Sequence, residues 1–191
     1  MVDPRWNEIF RHRSWNQWPS EDAIRFMAEH FKLCRLDTGP LILDCGCATG
    51  GNLSMLGSFG RVVGLDASLE ALRRTYIQQR NPVTCADVEY LPFASNTFDV
   101  VIEVECLYWM GLEAARQSIA EILRVLKPGG WLFAKTFAPG TGVSKTSFPI
   151  QARTPGDIAT LYQSFGIVEC GIIQRHFKQQ IHREWLLECQ K

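Results

Sequence analysis

Apolar residues follow two rhythms along this chain. Short, nearly unbroken apolar runs alternate with stretches in which apolar residues recur every three or four positions. The unbroken runs read as buried strands: PLILDC (40–45), RVVGLD (61–66), PVTCAD (82–87), FDVVIEV (98–104) and WLFAKTF (131–137). The stretches between them read as helices. SEDAIRFMAEHF (20–31) has Ser20 as a cap, Glu21 and Asp22 at its positive end, and Ile24, Met27 and Phe31 on one face. NLSMLGSF (52–59) predicts a short helix, and SLEALRRTYIQQR (68–80) one with Leu69, Leu72 and Tyr76 on a stripe. LEAARQSIAEILRVL (112–126) predicts a long helix closed by Lys127-Pro128-Gly129-Gly130. In TPGDIATLYQSFG (154–166), Pro155 stands at a first helical turn and Gly166 at the end. The tail, GIVECGIIQRHF then IHREWLLECQ, gives two more strands whose short connection implies antiparallel pairing.

Strands alternating with helices mean parallel units covered on both faces, so the expected class is an α/β, Rossmann-like sheet. In such a sheet the ligand lies beyond the carboxyl ends of the strands, where strand order reverses, beside the first strand. The 191 residues suit one domain over 1–191, with an N-terminal helical or lid segment (1–33), a core (40–135), and a loop, helix and terminal hairpin (138–191). Lys plus Arg and Asp plus Glu number 20 each, which argues against a broad electrostatic grip on nucleic acid. No apolar run reaches the ~18 residues needed to span a bilayer. MVDPRWNEIFRHRSW lacks the apolar centre of a signal peptide, so the cytoplasm is the expected location. The seven cysteines, with Cys45, Cys85 and Cys106 in or beside strand runs, read as buried free thiols. Cys45 and Cys47 have no second Cys or His cluster near them in sequence, so no metal site is expected.

LILDCGCATGGN (41–52) leaves the most apolar strand for a run that carries almost no side chains. Gly46, Gly50 and Gly51 permit a tight turn and a close approach to the backbone. The loop also opens a helix, whose free N–H groups suit a carboxylate or a phosphate. It is neither a GxxxxGK[ST] loop, because no Lys follows, nor a G-x-G-x-x-G turn. Two further acids add chemistry. Asp66 ends the second strand, where an acid can accept both hydroxyls of a ribose; the alternative is a helix cap, for which Ser68 competes. Asp87 ends the third strand, where an acid can accept from an amine such as that of adenine; the alternative is a surface turn. With Asp44, these acids outline a ligand with an amine at one end, a ribose in the middle and an adenine at the other.

LILDCGCATGGN, then VVGLDAS, then ADVEYLPFASNTFDVV, then LRVLKPGGWLF resembles the class I S-adenosylmethionine-dependent methyltransferases. The similarity is greatest to the small-molecule branch (methyltransferase type 11) that carries LPF…FD and LKPGG, and it covers roughly residues 41 to 135. The resemblance implies a seven-stranded sheet with an antiparallel last strand, S-adenosylmethionine as cofactor and S-adenosylhomocysteine as product. It implies Asp44 near the methionine ammonium, with the loop of Gly46, Cys47, Ala48, Gly50 and Asn52 against the cofactor. It sets Asp66 on the ribose, Ala67 beside the adenine, Asp87 and Val88 flanking it, and the backbone at Glu103 and Val104 facing the methionine. Two departures stand out. Ala48 is often Gly in the family, and Tyr108-Trp109 replace a frequent pair of His, whose catalytic role therefore does not carry over.

A sulfonium methyl is already activated, so the protein must align an acceptor lone pair about 3 to 3.5 Å behind it and exclude water. A base is needed only if the acceptor loses a proton. Glu105, just past the fourth strand, is one catalytic candidate, with a solvated rim charge as the alternative. Tyr108 is another, and so is His12, in an aromatic lid-like segment with Trp6, Phe10, Trp15 and Trp18. Trp15, Trp18, Tyr108 and Trp109 are candidate acceptor walls, while His176 and His182 read as surface residues beside the hairpin turn. Cys106 lacks the Pro-Cys context of cytosine C5 methylation, and no [DN]-P-P-[YFW] follows the fourth strand. APGTGVSKTSFPIQAR (138–153), long and unpatterned, is expected on the acceptor side. The expected function is methyl transfer to a small-molecule O, N or C acceptor. The rivals are an NAD(P)-dependent oxidoreductase on a related sheet and a non-catalytic cofactor-binding partner subunit.

Overall fold

The computed structural model describes residues 5–12, 18–33, 39–79, 81–142, 150–177 and 180–191. At the centre of its sheet lies β1 (Leu41–Cys45), paired in parallel with β2 (Arg61–Asp66) on one side and β4 (Phe98–Val104) on the other. Outside β2 comes β3 (Val83–Cys85), and outside β4 comes β5 (Leu126–Phe137). The hairpin of β6 (Ile167–Phe177) and β7 (Gln180–Gln190) completes the order β3-β2-β1-β4-β5-β7-β6. Inserted between β5 and β6, β7 runs antiparallel to both. The chain steps outward from β1 through β3 and then returns to the other flank of β1, so order reverses between β1 and β4.

The unbroken apolar strands are explained by burial on both faces. Ile42, Val62, Val100, Ile102 and Phe133 pack under α2 (Glu21–His30) and α3 (Leu53–Leu56), with Leu72 of α4 (Leu69–Gln79). Leu43, Leu65, Val101, Leu132 and Ala134 point the other way, toward α5 (Leu112–Val125) and α6 (Pro155–Tyr162). Each fully buried large apolar side chain in these layers contributes roughly 1.5–3 kcal/mol, set against a chain-entropy cost of similar total size. Ser20 caps α2 and Thr154 forms a capping box with Asp157 on α6. No helix of the described residues is long and apolar enough to cross a membrane.

Several local expectations are corrected. The buried stripe of α2 is Ala23, Phe26 and Met27, with Ile24 exposed; in α4, Leu69 is exposed while Ala71, Leu72 and Thr75 are buried. Packing against the sheet, rather than the apolar residues alone, sets the rotation of both helices. The α3 helix is a single turn, and β3 stops at Cys85, opposite the end of its partner β2 at Asp66, with Ala86 N–H bonding Asp66 O as the last link. Lys127-Pro128-Gly129-Gly130 lies inside β5 rather than before it. Leu126 pairs with Phe98 and the register then slips, with Gly129 at φ +75° and Lys127 held 2.7 Å from Asp99. Cys85 and Cys170 are exposed, Cys45, Cys47 and Cys189 are buried, and Cys34 lies outside the described residues. His182 is half-buried, its ring edge-on to Phe137, whereas His176 is exposed. Arg5–His12 forms a helix, α1, that packs on α4.

Candidate functional site

The loop after β1 is shaped by hydrogen bonds to its neighbours. Gly46 and Cys47 N–H groups both donate to Leu65 O, at 2.8 and 2.9 Å, which bends the chain across the end of β2. Gly46 takes φ +79°, and a Cβ there would lie 2.6 Å from Cys106 Cβ and Sγ. Ala48 is gripped from two sides: its N–H donates to Asp66 Oδ2 at 2.8 Å, and its carbonyl accepts from Thr75 Oγ1 at 3.0 Å. These bonds hold it at φ +48°, a left-handed conformation that disfavours a side chain. Ala48→Gly therefore removes strain worth about 1–2 kcal/mol but adds unfolded-state freedom worth about 0.4–1 kcal/mol. A net gain of up to about 1.5 kcal/mol in urea denaturation is the expected outcome.

Two cavities meet at this loop. The first, about 290 Å³, runs past the ends of β2 and β3, where Asp66, Ala67, Ala86, Asp87 and Val88 form one wall. Trp6 and Phe10 of α1 form another with Trp109 and Met110, and Trp6 meets Trp109 edge-on at 5.5 Å. The second, about 190 Å³, lies between the glycine loop, the start of α2 and the ends of β4 and β5. Its walls include Cys47, Gly51, Asn52, Trp18, Asp22, Val104 and Lys135. Gly46, Ala48 and Glu105 line both.

The acids differ in their partners. Asp66 accepts from Ser68 N–H on Oδ1 and Ala48 N–H on Oδ2, each at 2.8 Å; burial raises its carboxyl above the ordinary value against these bonds. Ser68, not Asp66, caps α4, its Oγ accepting from Ala71 N–H. Asn7 of α1 accepts from Ser68 Oγ–H and Glu70 N–H, which fixes α1 over the first cavity. Asp44 is 1% exposed and its Oδ2 has no hydrogen-bond partner among the described residues. Burial pushes it up to about 7, opposed by a hydrogen bond with Asn52 and reinforced by the charge of Asp66. Glu103 points inward instead, Oε1 accepting from Cys106 N–H at 2.7 Å and Leu107 N–H at 3.0 Å. Burial pushes it too up to about 7, against those bonds. It anchors a short 3-10 turn, Leu107–Trp109, whose far end is held by buried Arg153 donating to Leu107 O and Met110 O.

The remaining candidates scatter. His12 lies on the exposed side of α1, 3.0 Å from Glu8, and lines neither cavity. Tyr108 is buried, its ring packed between Trp109 and Phe137. Trp109 lines the first cavity and Trp18, largely exposed, the second. Trp15 and residues 143–149 lie outside the described residues. Asn7, Arg153 and, apart from Glu105, the charged residues around Lys135 were not anticipated. Their partners lie far away in sequence, and nothing in local spacing announces them.

A parallel sheet with one antiparallel strand, a glycine loop at the switch point and acids at successive strand ends is the architecture of the class I methyltransferase fold. Residues 43–134 match the family model described as a methyltransferase domain. Over these residues the chain carries this methyltransferase domain, a match that supports a class I, small-molecule S-adenosylmethionine-dependent methyltransferase. It is 32% identical over 128 residues to the malonyl-[acyl-carrier protein] O-methyltransferase of Methylovorus sp. (strain MP688), covering 60% of this chain and 42% of that one. The chain spans about two-fifths of the length of such curated relatives. A crystal structure of an S-adenosylmethionine-dependent methyltransferase from Methanosarcina mazei aligns with TM-score 0.72 at 19% identity, over 82% of this chain and 94% of that one. The 1,6-didemethyltoxoflavin-N1-methyltransferase of Burkholderia thailandensis, solved with S-adenosylhomocysteine, aligns with TM-score 0.68 at 20% identity, over 90% and 77%. At these identities the structural likeness concerns the fold.

The residues present fit S-adenosylmethionine, the cofactor of this family. The partnerless, buried oxygen of Asp44 suits an ammonium, Asp66 suits a ribose, and Gly46, which lines both cavities, offers a backbone without a side chain between them.

Proposed function

We propose that the chain transfers a methyl group from S-adenosylmethionine to a small-molecule acceptor through oxygen, nitrogen or carbon. The observation that carries this reading is the junction of the two cavities at Gly46, Ala48 and Glu105, with Asp66 and Asp87 along one arm and the glycine loop along the other. In this reading Asp66 holds the ribose while Ala67, Asp87 and Val88 flank the adenine. Asp44, with the loop of Gly46, Cys47, Ala48, Gly50 and Asn52 and the backbone at Glu103 and Val104, holds the amino-acid end. The bound donor supplies an activated methyl, so the chain's task is to orient it, exclude water and present the acceptor. Trp6 and Phe10, fixed by Asn7, close the adenine side. The described cysteines are all free, which suits a reducing cytoplasm.

Thermal-shift measurements test the reading against its nicotinamide rival. S-adenosylhomocysteine raises the melting temperature and NAD(P)H leaves it unchanged; the reverse result rejects the reading.

Asp44 gives a second expectation. Burial lifts it from the ordinary carboxyl value of 3.8 to about 7, so its contribution to folding is fully present below about 3.8 and is lost as pH rises through 7. An ammonium beside it favours the ionised form. Binding of S-adenosylhomocysteine at pH 7 then releases roughly half a proton from a group that is half ionised beforehand. Calorimetry in two buffers of different ionisation enthalpy measures this release, and Asp44→Asn abolishes it.

A further inference from the structure

Donor binding leaves one feature of the second cavity unused, a cluster of three acids and two cations. Lys135, buried near the end of β5, lies 3.2 Å from Glu105, 3.2 Å from Glu184 and 3.5 Å from Asp22. Arg175 of β6 reaches two of the same acids, Asp22 at 2.7 Å and Glu184 at 3.0 Å. Both cations are therefore matched to carboxylates of the protein, and the cluster keeps one negative charge when all five groups are ionised. Burial pulls Lys135 down, yet Glu105, Glu184 and Asp22 together hold it above its ordinary value, so its charge is secure.

Glu105 differs from the other two acids. The side chains of Asp22 and Glu184 are 4% and 5% exposed, whereas that of Glu105 is 34% exposed and lines both cavities. Its backbone sits at φ +57°, a conformation that costs a glutamate energy and persists only where neighbours impose it. Here the Glu105 N–H donates to Lys135 O at 2.9 Å, directly after β4 ends. The strained residue thus sets an open carboxylate where the donor's arm of the site meets the charged cavity. Burial raises this carboxyl above its ordinary value, Lys135 opposes the rise and the charge of Glu184 adds to it.

Resting on the donor-site reading above, we infer that the acceptor is a protic nucleophile without negative charge, an amine or a hydroxyl compound, and that Glu105 takes its proton. The acceptor's nitrogen or oxygen forms the bond to the methyl carbon as the carbon–sulfur bond breaks with its electron pair going to sulfur. The N–H or O–H proton passes to a carboxylate oxygen of Glu105. An acceptor that is already an anion needs no base, and it meets a cavity whose cations are matched and whose balance is negative.

The full-length chain is saturated with S-adenosylhomocysteine and titrated with benzylamine, phenol and benzoate by ligand-observed NMR. In parallel, it is incubated with methyl-labelled S-adenosylmethionine and a panel of amines, phenols and carboxylic acids. The expected result is binding of the amine or the phenol at least about tenfold tighter than benzoate, with label on members of those classes. Glu105→Gln, which keeps the shape, lowers transfer by roughly a hundredfold or more while the affinity for S-adenosylhomocysteine stays within about twofold. Preference for benzoate, label confined to carboxylic acids, no label on any amine or phenol, or undiminished transfer by Glu105→Gln overturns the inference. A wild-type chain that does not bind S-adenosylhomocysteine overturns the donor-site reading instead, so the two failures are distinct.

Discussion

Asp66→Ala weakens binding of S-adenosylhomocysteine by about 2–4 kcal/mol, a loss of roughly thirty- to a thousandfold. The estimate comes from two charge-assisted hydrogen bonds to a ribose, each worth more than a neutral one. The structure adds a second reason for a large effect. Asp66 also accepts from the N–H groups of Ala48 and Ser68, so alanine leaves both donors unmatched and frees the left-handed residue of the glycine loop. Loss of affinity should therefore come with a lower melting temperature. Asp66→Asn separates the two, because an amide oxygen can accept from one backbone donor but brings no charge to the ribose. Titration calorimetry on the folded variants gives the affinities. An Asp66→Ala protein that binds as tightly as wild type removes Asp66 from the site.

Gly46→Ala damages both the fold and the site. A left-handed alanine costs about 1–2 kcal/mol, and forcing a methyl into a filled space costs about 1–3 kcal/mol more. The offending atoms are named: Cβ and Sγ of Cys106, both 2.6 Å from the added methyl. A destabilisation of about 2–5 kcal/mol follows, which in a chain of this size moves Tm by roughly 2–4 °C per kcal/mol. Removing the Cys106 side chain as well, with Cys106→Gly, should recover part of the packing cost but none of the backbone cost. The double-mutant cycle then shows a coupling between the two positions of about 0.5–3 kcal/mol. A cycle with no coupling would mean that Gly46 and Cys106 are not in contact.

The sheet was legible because its strands are buried on both faces. Runs such as Leu41 to Leu43 and Val100 to Ile102 have no polar side to alternate with, so they stand out as continuous apolar stretches. Helix rotation was less legible. Leu69 and Ile24 fit an apolar stripe by spacing, yet the sheet takes Leu72 and Met27 and leaves those two in water. The turn at Gly129-Gly130 looked like a boundary, but a strand can absorb it as a register slip beside Asp99. At the candidate site, Gly46, Ala48, Asp66 and Asp87 come from three short motifs at successive strand ends, and the structure sets all four along the first cavity, while Asp44 lies buried behind the loop. The departure at Ala48 acquires a physical meaning, since the position has positive φ and glycine suits it without strain. The acceptor-side cluster was unreadable apart from Glu105. Asp22, Lys135, Arg175 and Glu184 come from α2, β5, β6 and β7, and only the β5-β7-β6 order brings them under one cavity.

Isothermal titration of S-adenosylhomocysteine into the purified, folded chain tests the central claim most directly. A saturable heat with about one site per chain, lost or strongly weakened in Asp66→Ala, is the predicted result. A folded wild-type protein that gives no binding heat at any temperature tried, and no thermal shift with the same ligand, would contradict it.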